Sequence, residues 1–115
     1  MLSFFYVESF LKAYLYTFLT EFAVCYLINR RFGFRVVVVV LIVNAFSLPF
    51  VWFVFPALTV GYRLYLLIAE TFAVVSEALL MRMMFPISVK RALATSIAMN
   101  MASYTFGVLF PWLIF

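Results

Sequence analysis

The sequence predicts an all-α integral membrane protein of four transmembrane helices, arranged as two tandem helical hairpins with the N-terminus and C-terminus both outside. Three observations lead there. First, 70% of the 115 residues are apolar and only 10% are charged, against roughly half and about a quarter in a soluble domain. With a mean hydropathy of +1.23, no soluble fold of this size could hide so much apolar surface, because small domains have too much surface per volume. Second, the apolar residues form four runs, each long enough for the ~20-residue helix that a bilayer requires. Third, the basic residues gather at the ends of those runs, where they read as topology determinants rather than as a nucleic-acid surface.

The first run covers about residues 4–28. It carries Glu8, Lys12 and Glu21 and no small-x-small cleavage site, so it reads as a retained span and not as a signal peptide. Glu8 and Lys12 stand four apart and are placed to pair near the headgroup zone. The connection from Asn29 to Arg35 holds three arginines and Gly33, which suits a turn. The second run covers 36–58. Its Val36–Val40 block would favour strand in water, but lipid offers no partner strand, and helix satisfies the backbone internally. Pro49 lies within this run, where it should free a carbonyl near Ala45 and kink the helix. After a short connection through Gly61 and Arg63, the third run covers 64–84 and ends before Pro86. The fourth covers 92–114, and its Gly107 would permit close helix packing. Met81, Met83 and Met84 read as packing material near the inner interface. The chain is one transmembrane domain, with no linker or low-complexity tract.

Six of the eight Lys and Arg residues lie at the first and third connections: Arg30, Arg31, Arg35, Arg82, Lys90 and Arg91. The positive-inside rule puts those connections in the cytoplasm and both termini outside, giving a multi-pass cell-membrane protein. Tyr6, Tyr14, Tyr16, Trp52, Tyr62, Tyr65 and Trp112 fall mostly towards the outer side, as an interfacial aromatic belt would.

The few polar residues within the runs recur. A shift of 56 residues places Glu21 on Glu77, Arg35 on Arg91, Asn44 on Asn100 and Ser47 on Ser103. Repeats of about residues 4–58 and 64–114 would each hold two helices. Such repeats are parallel and related by a pseudo-twofold axis along the membrane normal. Glu21 and Asn44 each lie nine residues from the flanking arginine, roughly 14 Å at 1.5 Å per residue. Glu77 and Asn100 stand at similar depth, and Ser47 and Ser103 lie one turn outward on the amides' face. The expectation is a midplane layer of two carboxyls, two amides and two hydroxyls. Glu70 shares the Glu77 face two turns away and faces Tyr14 in the alignment.

A charge at midplane costs roughly 2.5–3.5 kcal/mol on insertion scales and usually faces protein or water. Two neighbouring carboxylates cannot both ionise cheaply in a low dielectric, so they would share a proton or hold a cation. Glu, Asn and Ser oxygens are hard ligands suited to Na⁺, Mg²⁺ or Ca²⁺. The candidate ion or proton site is therefore Glu21, Asn44, Ser47, Glu77, Asn100 and Ser103, in a proton- or cation-coupled transporter or channel acting as an oligomer. The alternative is a non-catalytic structural or accessory subunit whose polar layer serves helix packing. Enzyme chemistry is not expected. There is no His, no Asp and one cysteine, Cys25, which also excludes a Cys/His zinc cluster and an intrachain disulfide. No cofactor and no nucleic-acid partner are expected. The partners are the lipid bilayer and either a second copy of the chain or a larger membrane complex.

Overall fold

The computed structural model describes residues 3–115. They form four long helices: α1 (Phe4–Ile28), α2 (Arg35–Pro49, continuing through further helical turns to Leu58), α3 (Tyr62–Met84) and α4 (Val89–Leu109). All four are long and apolar enough to span a membrane. The valine block is helical within α2, as expected where no strand partner exists.

The helix ends follow local chemistry. Ser3 caps α1 by accepting from the Tyr6 amide at 3.0 Å, and Ser88 caps α4 by accepting from the Arg91 amide at 3.1 Å. Gly33 turns the first connection at φ 57, a left-handed value that favours glycine. Phe85 is extended at φ −117 and ψ 143, the conformation that the following Pro86 imposes, and α3 stops there. Glu8 and Lys12 pair at 3.3 Å on the exposed surface of α1.

Three expectations need correction. The fourth run extends in sequence to residue 114, but α4 ends at Leu109. Pro111 disfavours helix at Phe110, and only a short turn, Pro111–Leu113, follows. Apolar content carries on past the proline and so does not mark the helix end. Gly107 permits no close approach, since a Cβ there would meet open space. Pro49 is followed by a change in helix type. The turns after it widen over Phe50–Val54, where the Phe55 amide reaches back five residues to the Phe50 carbonyl, and then tighten over Phe55–Leu58. A widened turn exposes carbonyls, and two tyrosines meet them. Tyr65 donates to the Val51 carbonyl at 2.8 Å, and Tyr6 donates to that of Trp52.

The helices close a ring in chain order, with α1 packed on α2 and α4, and α3 packed on α2 and α4. The first and third connections share one end of the bundle, where Phe32 stacks on Phe85 at 4.4 Å between centroids. That end carries all six of the clustered basic residues. Arg91 also ties α4 to the end of α1, donating to the Asn29 side chain at 3.1 Å and to the Ile28 carbonyl. It thereby satisfies a carbonyl that the helix terminus leaves free. Just inside the basic end lies the apolar core. Cys25, Val36, Val40, Val43, Met81 and Met99 are completely buried there. Met83, by contrast, is exposed.

Burial falls in the same register 56 residues apart. In α1 and α3, Ala13, Glu21 and Cys25 are buried alongside Ala69, Glu77 and Met81. In α2 and α4, Val36, Val39, Val40, Val43 and Asn44 are buried alongside Ala92, Thr95, Ser96, Met99 and Asn100.

Candidate functional site

All four helices contribute to the polar layer. Glu21 is on α1, Asn44 and Ser47 on α2, Glu77 on α3, and Asn100 and Ser103 on α4. A spacing of three residues keeps Asn44 with Ser47, and Asn100 with Ser103, on one inward face. Glu21, Asn44, Ser47 and Glu77 are at most 1% exposed.

The hydrogen bonds run in a crossed pattern. Ser47 donates to Glu77 Oε2 at 2.7 Å, and Ser103 donates to Glu21 Oε2 at 2.7 Å. Each carboxyl is thus held by the hydroxyl of the other hairpin. Asn100 donates to Glu77 Oε1 at 3.1 Å within its own hairpin. Both amides also anchor to the carbonyl four residues back, Asn44 to Val40 at 3.0 Å and Asn100 to Ser96 at 2.9 Å. Helix interiors tolerate this back-bonding, and it fixes both side-chain orientations.

The two halves of the layer are not equivalent. Both oxygens of Glu77 have donors. Glu21 Oε1 and Asn44 Oδ1 have none, and they are the two fully buried side-chain oxygens without a partner among the described residues. Leaving a buried acceptor unsatisfied costs about 1–3 kcal/mol. Both atoms belong to residues lining the same cavity, of about 150 Å³. That volume is large enough to hold water. Two acceptor oxygens facing one small space require a donor or a cation: a proton on one of them, water, or a small positive ion.

All six sequence-identified residues line this cavity. Glu21 and Glu77 are each held by a serine from the other hairpin. The cavity has further walls that the sequence reading left out of the site: Thr17, Trp52, Glu70 and Tyr104. Thr17 lies four residues before Glu21 and Tyr104 directly after Ser103, so helical spacing could have found the first. Trp52 lies eight residues after Asn44 and four after Leu48, which also lines the cavity, so helical spacing puts it on the same face. Glu70 lies on the cavity-facing side of α3, close enough to Glu21 and Glu77 for their charges to interact.

No group of three or more His, Cys, Asp or Glu side chains is placed to hold a metal ion among the described residues. The oxygen set around Glu21 and Asn44 suits a proton or a monovalent cation that keeps some of its water, rather than a divalent ion demanding several charged ligands. The topology residues Arg30, Arg31, Arg35, Lys90 and Arg91 are all exposed, at the opposite side of the apolar core from the cavity.

Fold and site together define a small all-helical chain with four candidate membrane spans around a buried carboxylate cavity. No protein-family model, no curated protein and no solved structure matches it.

Proposed function

We propose that this chain is a multi-pass membrane protein that binds a proton or a small monovalent cation in the cavity and moves it across the bilayer. The observation that carries the proposal is the pair of partnerless buried oxygens, Glu21 Oε1 and Asn44 Oδ1, opening on one polar cavity. In this reading Glu21 is the seat of the ligand. Glu77, whose oxygens are both occupied by donors, is the fixed acceptor that holds the bundle in register.

The orientation places the basic end in the cytoplasm and both termini outside, on the strength of the positive-inside rule. The chain is built from two parallel hairpin repeats. The shared burial register and the crossed Ser–Glu bonds support that duplication. The site is assembled within one chain, so the oligomer is proposed for the exposed apolar flanks and not for the site.

The test is thermal unfolding of the detergent-purified protein across pH and in Na⁺, K⁺ or Li⁺ at constant ionic strength. Ligand at a hundred times its Kd stabilises by about 2.7 kcal/mol. The wild type and Glu8→Gln are expected to respond to pH or to one cation, and Glu21→Gln is expected to lose the response. A Glu21→Gln variant with the full response would sink the proposal.

A second reading has its own support. Saturation of Glu77 by Ser47 and Asn100 is what a packing role for the polar layer would produce. As a structural or accessory subunit, the chain would lose stability or assembly in both Glu21→Gln and Glu77→Gln without any ligand response to lose. Purification in a stoichiometric larger complex would favour that reading.

A further inference from the structure

The cavity has a wall that is also the wall of a second space. Glu70 and Tyr104 line the polar cavity, and they also line a groove of about 330 Å³ between α3 and α4, with Leu66, Leu67 and Met101. That groove opens on the flank of the bundle, where Leu67 is 64% and Met101 66% exposed. Glu70 is seven residues before Glu77, roughly 10 Å nearer the non-basic end of α3. It is half-buried, and no ion pair or hydrogen bond engages its carboxyl among the described residues. Glu8, the exposed carboxylate of α1, has Lys12. An uncompensated carboxyl within a span is expensive and marks water or an ion path.

The completely buried Cys25, Val40, Val43, Met81 and Met99 lie between the cavity and the arginines. From this geometry we infer that the α3–α4 groove is a lateral mouth of the site, with Glu70 as the entry carboxyl and Tyr104 as the movable wall. The inference rests on the reading of Glu21 as the ligand seat. The titratable groups facing Glu70 are Tyr65 and Glu77 on its own helix, Glu21 on α1 and Tyr104 on α4. From α2 the cavity receives uncharged Asn44 and Ser47. Glu70 thus supplies negative charge at the mouth, and clefts lined by one sign of charge raise the local concentration and arrival rate of the opposite ion.

An entry residue alters rate, and a ligand residue alters equilibrium. Trp52 lines the cavity and provides the reporter once Trp112 is removed as Trp112→Phe. In nanodiscs, stopped-flow Trp52 fluorescence would follow a Na⁺ jump at fixed pH, and a pH jump in Na⁺-free buffer. Glu70→Gln is expected to keep the full amplitude of the response, with only the small midpoint shift that loss of a nearby charge brings, while slowing it about 10-fold or more. A bulky maleimide on Met101→Cys should slow it likewise. The same label on Leu79→Cys, on a different flank of α3, should leave it unchanged. Glu21→Gln should abolish the amplitude. Wild-type rates in Glu70→Gln, or in labelled Met101→Cys, overturn the lateral mouth and leave the Glu21 site standing. Loss of the equilibrium response in Glu70→Gln also overturns it, by making Glu70 a ligand. A full response in Glu21→Gln overturns the site itself, and the mouth with it.

Discussion

The two halves of this bundle are built to opposite specifications. Near the basic end, α1 to α4 interlock through Cys25, Val36, Val40, Val43, Met81 and Met99, all without exposure. Phe32 on Phe85 and the Arg91 bonds to α1 close that end. The other half has a widened turn in α2, a polar cavity, two partnerless oxygens and a carboxyl at the flank. In lipid there is no hydrophobic force to drive helices together, and association comes from packing and hydrogen bonds. The closely packed half can therefore hold the bundle, which leaves the other half free to carry groups that packing alone would not tolerate.

Mutations should separate the halves. The largest loss is expected at the packed end. Met81→Ala removes a completely buried side chain and should destabilise by about 2–4 kcal/mol, read by reversible unfolding in detergent. Leu48→Ala, beside an existing cavity, should cost about 1 kcal/mol or less, because little packing is there to lose. Equal losses would abolish the contrast. Next is Arg91→Ala, which removes charge-assisted bonds to the end of α1 and should cost about 1.5–3 kcal/mol. Its neighbour Lys90→Ala should stay within about 0.5 kcal/mol. Smaller again are the two serines. Ser47→Ala and Ser103→Ala should each cost about 0.6–1.7 kcal/mol. They should differ in function, though. Ser47→Ala leaves Glu77 with Asn100, whereas Ser103→Ala strips Glu21 of its hydroxyl donor. Only the second should shift the midpoint of the ligand response. An unchanged midpoint in Ser103→Ala would argue that Glu21 does not hold the ligand.

Much of this was legible in the chain. The bounds of α1, the helical state of the valine block, the stop before Pro86 and the convergence of Glu21, Asn44, Ser47, Glu77, Asn100 and Ser103 follow from hydropathy runs and helical spacing. Those are local or periodic properties. The rest depends on geometry that period cannot carry. The turn after Pro49 changes the residues per turn over Phe50–Val54. Pro111 ends α4 within a run that stays apolar to residue 114. Read by spacing, the two hairpins are equivalent, yet Asn100 bonds to its glutamate while Asn44 Oδ1 is left open. At positions 56 residues apart the chain differs, with Val40 opposite Ser96 and Tyr14 opposite Glu70, and spacing does not show what such differences do to the polar bonds.

The central claim is that Glu21 changes its bonding when the cavity is filled, and infrared difference spectroscopy observes a carboxyl directly. Lipid-reconstituted protein would be taken from ligand-free buffer to saturating Na⁺, and separately across pH. The account expects a difference band from a buried carboxyl that is present in the wild type, persists in Glu8→Gln and is absent in Glu21→Gln. A wild type with no such band under either change, or a band that survives Glu21→Gln, would contradict it.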